Sequence, residues 1–190
     1  MLLVADSGST KCDWILVKST GERLETSTMG FNPFFHNSVF IESELKKNEL
    51  FVKYAGEVAD LYFFGAGASS QNRNSIIENG LKKVFTNAKN IIVDHDIKAA
   101  VIATAGDQPG IVCILGTGSN SCYFDGETVS EKIPALGYIL GDEGSGAYFG
   151  KILLTKYLYK KLPMELETAL EKDCGVSKES IFEAIYNKPN

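Results

Sequence analysis

Leu2-Leu3-Val4-Ala5-Asp6-Ser7-Gly8-Ser9-Thr10-Lys11-Cys12-Asp13-Trp14-Ile15-Leu16-Val17 decides how this chain folds. Leu2 to Ala5 is a short apolar run and Trp14 to Val17 is another. Between them Asp6 to Thr10 supplies the small residues of a turn, so the segment reads as strand, hairpin turn, strand. The same order returns later. Ile111-Val112-Cys113-Ile114-Leu115 is a strand, Gly116-Thr117-Gly118-Ser119 a turn, and Ser121-Cys122-Tyr123-Phe124 a second strand. Divergent duplication explains such an echo, and so does chance, because Gly-rich hairpins are common.

Outward from the first hairpin, Arg23 to Met29 alternates weakly as a third strand. Gly30-Phe31-Asn32-Pro33 breaks it, since a residue before proline is pushed out of the helical region. Helical periodicity covers Ser38 to Leu50 and Asn74 to Phe85. Strands are expected at Leu61 to Phe64, ending in Gly65-Ala66-Gly67, and at Asn90 to Val93, ending in Asp94-His95-Asp96. Ile97 to Ala105 is alanine-rich and predicts a helix buried on most sides. A three-strand meander followed by strand–helix alternation predicts an α/β sheet with mixed strand directions. The pattern restarts at Gly106-Asp107-Gln108-Pro109-Gly110, dividing the chain into domains at 1–106 and 107–190. The second part has a further strand through Val129 to Ile133. A helix then opens at Gly141-Asp142-Glu143-Gly144-Ser145-Gly146 and runs to about Leu162, and helical patterns follow at Glu165 to Lys172 and Lys178 to Tyr186.

Composition excludes several function classes. The 190 residues are 44% hydrophobic and 23% charged, an ordinary globular mixture. Nineteen basic residues against 24 acidic ones, without runs, argue against a nucleic-acid binder. No stretch approaches the roughly 18 apolar residues of a membrane span, and the N-terminus lacks the basic region of a secretory signal. Cys12, Cys113, Cys122 and Cys174 show no metal-ligand spacing, so reduced, mostly buried thiols of a cytoplasmic protein are expected. His36 and His95 are too few for a His-rich zinc site or for a Ser/His/Asp order.

The small-residue turns carry the chemistry. Glycine lets backbone approach a ligand, and consecutive N–H groups make an anion-binding concavity. At Gly8-Ser9-Thr10, Asp6 precedes the turn and Lys11 follows it, suiting Mg²⁺ and phosphate respectively. An ordinary hairpin with a surface lysine is the other reading. No G-x-x-x-x-G-K-[ST] occurs, and Gly65-Ala66-Gly67 lacks the third glycine of a dinucleotide fingerprint, so it more simply packs a strand end closely. Asp96, after a strand and before a helix, is either a helix cap or a general base toward an alcohol. In Gly141 to Gly146, glycines exceed what a cap needs, which implies close approach of the backbone to something, a ligand being one candidate.

Taken in order, these segments resemble the BadF/BadG-type ATPase group of the sugar kinase, Hsp70 and actin superfamily, and within it the N-acetylglucosamine kinases. The matching pieces are Asp6 to Lys11, Asn32, Asp96 before the alanine-rich helix, Gly110 to Asn120, and Gly141 to Ser145, spanning residues 2 to about 160. The resemblance implies two ribonuclease-H-like α/β domains with a cleft between them, each a mixed sheet flanked by helices. It implies a first phosphate loop at Gly8, Ser9, Thr10 and Lys11, with Asp6 acting on Mg²⁺ through water. A second phosphate loop is implied at Gly116, Thr117 and Gly118, also near the sugar. Asp96 becomes the base toward a sugar 6-hydroxyl, and Asn32 and Asp142 become sugar ligands. ATP and Mg²⁺ are the implied cofactors and a small-molecule amino sugar the substrate. Homodimers are common in the group, but no interface signature stands in the sequence.

Two departures qualify this. Leu136 stands where these kinases often carry an aromatic residue before glycine, which leaves the acceptor sugar open. The group's second domain also continues further, through a glycine-rich adenosine-binding segment, so the chain is expected to be truncated and to bind ATP weakly alone. Two other functions compete. One is an ATPase activator of a 2-hydroxyacyl-CoA dehydratase, which would hold an iron–sulfur cluster between subunits. The other is a non-catalytic sugar-binding or sensor module, which would not need Asp96.

Overall fold

The computed structural model describes residues 1–8 and 10–187. β1 (Leu2–Ser7), β2 (Lys11–Val17) and β3 (Arg23–Met29) form an antiparallel meander, with Ala5 opposite Trp14 and Trp14 opposite Thr26. Period-two patterning sets the register: Leu3, Ala5 and Ser7 on β1 and Cys12, Trp14 and Leu16 on β2 are all buried. β4 (Asp60–Gly65) and β5 (Asn90–His95) add parallel to β1, giving the order β3-β2-β1-β4-β5. This is the mixed α/β sheet that the meander and the later alternation predict, and the ribonuclease-H-like layout that the resemblance implies.

Helices α1 (Ser38–Leu45), α2 (Glu49–Tyr54) and α3 (Gln71–Lys82) supply Ile41, Leu45, Phe51, Ile77 and Leu81 to one core cluster with Trp14, Phe63 and Phe85. The Trp14 and Phe51 rings meet edge to face at 5.0 Å, and Phe51 meets Phe85 at 5.3 Å. Trp14 keeps its polar end satisfied by donating Nε1–H to Thr28 Oγ1 at 3.0 Å.

Three sequence expectations are corrected. The helix expected over Ser38 to Leu50 is two helices. Asn48 sits at the break with extended backbone and accepts from Leu50 N through Oδ1, while its Nδ2 donates to Thr26 Oγ1 at 2.9 Å. A cap that also ties to β3 outweighs helical periodicity there. α4 (Asp96–Thr104) buries only Ile97 and Val101 against β1, β4 and β5, and Ile102 is 60% exposed. Alanine content therefore overstated its burial. Two thiols, Cys113 and Cys174, are exposed; Cys12 and Cys122 are buried, and all four are free.

The chain divides into two compact units, Met1–Cys113 with Ser121–Ile133, and Ile114–Asn120 with the residues from Pro134 onward. β6 (Gly110–Leu115), β7 (Ser119–Phe124) and β8 (Val129–Ser130) form a second sheet in that order, β8 being shorter than the sequence predicts. β7 and β8 are antiparallel and turn at Asp125, whose carboxylate accepts from Glu127 N, Thr128 N and Thr128 Oγ1. The second unit holds α5 (Gly137–Leu140), which the sequence reading lacks, then α6 (Gly146–Leu158), α7 (Met164–Cys174) and α8 (Lys178–Tyr186). Gly175, at φ +62°, ends α7, and a Ser177/Ser180 capping box starts α8. Among the described residues no helix is long and apolar enough to cross a membrane.

Candidate functional site

In the first unit, parallel pairing lines up the carboxyl ends of β1, β4 and β5: Ser7 lies opposite Gly65, and Gly65 opposite His95. Asp6 stands one residue before that row and Asp96 one residue after it. Open α/β sheets bind ligands at this end of their strands. The Asp6 side chain reaches solvent, yet its carboxyl is pushed above the ordinary 3.8, first by the protein atoms crowding the strand end, then by the negative charges of Asp96 and Asp13. Asp96 is raised too, chiefly by burial. The His95 charge and the Ile97 N–H, which donates to Asp96 Oδ1 at 2.9 Å, oppose the rise, and Glu131 adds to it.

His95 sits between two carboxylates. Its Nε2 is 3.2 Å from Asp96 Oδ1, and its Nδ1 is 3.4 Å from Glu131 Oε1. Sequence reasoning missed this pair. His95 is adjacent to Asp96 and was legible by position, but Glu131 comes from beyond β8 and no spacing rule reaches it.

Around the first loop, Gly8 and Thr10 are exposed, and the Thr10 carbonyl accepts from Gly30 N at 3.0 Å. Lys11 is exposed and paired with Asp13 at 2.6 Å. Ser9 lies outside the described residues. Ser7, also missed from sequence, is fully buried and its Oγ accepts from Phe31 N at 2.9 Å, which pins the Asn32 loop to β1. Asn32 Oδ1 accepts from Phe34 N at 3.0 Å, which leaves the Asn32 Nδ2 without a hydrogen-bond partner among the described residues. Gly67 has φ +79°, and a Cβ there would lie 2.8 Å from Asn32 Oδ1. The Gly65-Ala66-Gly67 segment thus packs a strand end, as expected, and the residue it admits is Asn32.

In the second unit, the Gly116-Thr117-Gly118 turn is stitched to the Gly141–Gly146 segment. The Gly116 and Thr117 carbonyls accept from Gly146 N and Ala147 N at 2.9 and 3.1 Å, using free N–H groups at the start of α6. Asp142, at φ +59°, accepts from Ser119 N at 3.1 Å, and a Cβ on Gly118 would meet its Oδ2 at 2.9 Å. The two glycine-rich segments form one structure, with Asp142 holding the turn.

No family model matches the sequence. Among solved structures, a Porphyromonas gingivalis protein assigned as an N-acetylglucosamine kinase superposes with a TM-score of 0.90 at 38% identity, covering 100% of this chain and 67% of that one. The chain belongs to the N-acetylglucosamine kinase family. A second member by assignment, from Chromobacterium violaceum, shares the fold at TM-score 0.69 and 19% identity, covering 99% of this chain and 68% of that protein. A curated N-acetylmuramic acid/N-acetylglucosamine kinase from Clostridium acetobutylicum is 36% identical over 85 residues, which are 45% of this N-acetylglucosamine kinase-family chain and 28% of the relative.

Proposed function

We propose that this protein transfers the γ-phosphate of ATP to the 6-hydroxyl of an amino sugar, with N-acetylglucosamine as the first acceptor. The observation that carries the reading is the pair Asp6 and Asp96 at the carboxyl ends of β1 and β5, near enough that the charge of Asp96 raises Asp6. Two carboxylates in unequal settings suit two roles. Asp96, the more enclosed, accepts the proton of the sugar hydroxyl as that oxygen bonds to the γ-phosphorus. The bond from the γ-phosphorus to the bridging oxygen of ADP breaks, and the proton later leaves Asp96 for water. Phosphoryl transfer asks the protein mainly for position and charge neutralisation.

Mg²⁺ fits the donor set at Asp6. Carboxylates of Asp6, Asp13 and Asp96 raise the negative charge there, and the nearby Lys11 is already paired with Asp13. Among the described residues no three acidic, His or Cys side chains converge on a metal position. A cation at Asp6 would therefore complete its shell with phosphate oxygen and water, the usual habit of Mg²⁺, and would supply charge neutralisation. Gly8, Ser9, Thr10 and Lys11 in the first unit and Gly116, Thr117 and Gly118 in the second are assigned to phosphate. Asn32 and Asp142 are assigned to sugar hydroxyls, as are Thr117 and Gly118.

The test incubates the full-length protein with Mg-ATP and a panel of hexoses and amino sugars. ADP release with N-acetylglucosamine and recovery of the 6-phosphate are expected. ADP release no greater than background with every amino sugar overturns the reading, and sugar binding without turnover would favour a sensor.

A further inference from the structure

We propose that His95, anchored by Glu131, is the positioning residue for Asp96. This rests on the kinase reading above and adds to it two residues that reading does not assign. The imidazole touches Asp96 Oδ1 on one side and Glu131 Oε1 on the other, at 3.2 and 3.4 Å. The hydrogen bond from Nδ1 to Glu131 anchors the ring, which keeps its Nε2 edge against Oδ1 of Asp96 and leaves Oδ2 to meet a hydroxyl. Ile97 N donates to the same Oδ1 at 2.9 Å, so both contacts fall on one oxygen.

Simpler accounts of His95 do not fit. It occupies the N-cap position of α4 but makes no side-chain capping bond there. It is not apolar packing either, because with Glu131 it lines a polar cavity of about 450 Å³ that also includes Ser70, Asn74 and Asp94. The third carboxylate nearby, Asp94, has its oxygens taken by His95 N at 2.8 Å and Lys98 Nζ at 2.6 Å. Asp96 and Glu131 are therefore the groups His95 serves. The imidazole edge beside Asp96 Oδ1 offsets part of the cost of enclosing an ionised base, acting against the rise that burial causes. The proton taken from the sugar passes from Asp96 to water, and His95 does not relay it.

The experiment has two arms. In the first, His95→Ala, His95→Asn, Glu131→Gln and Asp96→Asn are compared with the unaltered protein for kcat and sugar KM. His95→Ala is expected to lower kcat by about a hundredfold, the cost of misplacing a catalytic group by on the order of 1 Å. KM for the sugar should stay within about twofold, as for a residue that acts through Asp96 rather than by binding sugar. His95→Asn, which keeps a donor, should recover part of the loss, and Glu131→Gln should fall between. In the second arm, side-chain ¹⁵N spectra are recorded on the 190-residue chain, where His36 and His95 are the two histidines. Asp96→Asn should move the Nε2 signal of His95, Glu131→Gln its Nδ1 signal, and neither should move His36. An inactive unaltered protein, or a fully active Asp96→Asn, overturns the kinase reading itself. An inactive Asp96→Asn beside a His95→Ala of unchanged kcat overturns the positioning role alone, as do His95 signals indifferent to both carboxylates.

Discussion

Asp96 shows the conflict between function and stability within one residue. Burial raises its carboxyl above 3.8, so the folded state binds a proton more readily than the unfolded state does. By linkage, such a group costs no stability below its unfolded value and costs progressively more as pH rises through its folded value. Asp96→Asn removes the charge that must be enclosed. The variant should therefore melt at a higher temperature than the unaltered protein at pH 7 to 8, the gap closing toward pH 3.8, while losing turnover. Thermal denaturation across pH checks this, and a lower melting temperature at pH 7 would contradict it. The identity of Asp96 was legible in the sequence because it follows an apolar strand and opens an alanine-rich helix. The Glu131 that anchors the neighbouring His95 was not, because it acquires meaning only from what the fold sets beside it.

At the scale of elements, short turns place the groups that matter. Asp125 holds the β7–β8 turn with three hydrogen bonds, and these hold its carboxyl down at about 2. β8 ends at Ser130, one residue before Glu131, so the turn sets where Glu131 can reach. The stability from Asp125 is present above its unfolded value of 3.8 and is lost as pH falls through about 2. Asp125→Ala should loosen the turn and reproduce the kcat loss of Glu131→Gln in weaker form, with amide exchange at Glu127 and Thr128 speeding up. Unchanged exchange there would refute the role given to the turn. Strand positions were readable from apolar runs of the right length. The break at Asn48 was not, because its strength comes from a bond to Thr26 on a different element.

Across the whole molecule, the two units differ in how much they bury. The first has a continuous core built on Trp14, Phe31, Phe63 and Phe85. In the second, Tyr157 and Ile181 are buried, while Ile139, Leu140, Phe149, Tyr159 and Tyr186 are each more than half exposed. Amide protection follows buried contact. Hydrogen exchange on this chain should leave β1, β4 and α3 protected longest and release α6, α7 and α8 early, by a factor of about ten or more for each ~1.4 kcal/mol of local stability difference. Equal protection in both units would contradict that ordering.

The sequence by itself determined the strand order along the chain, the glycine-rich turns and the carboxylates beside them, because those signals are local: apolar period, chain-reversing residues and a charge at an element's end. The tertiary structure alone decided that β4 and β5 run parallel to β1, bringing Asp6 and Asp96 to one sheet end. It also decided that Gly67 admits Asn32, that Asp142 clasps Gly118 and Ser119, and that Glu131 meets His95. Each of these is a contact between residues far apart in the chain, fixed by register and close packing.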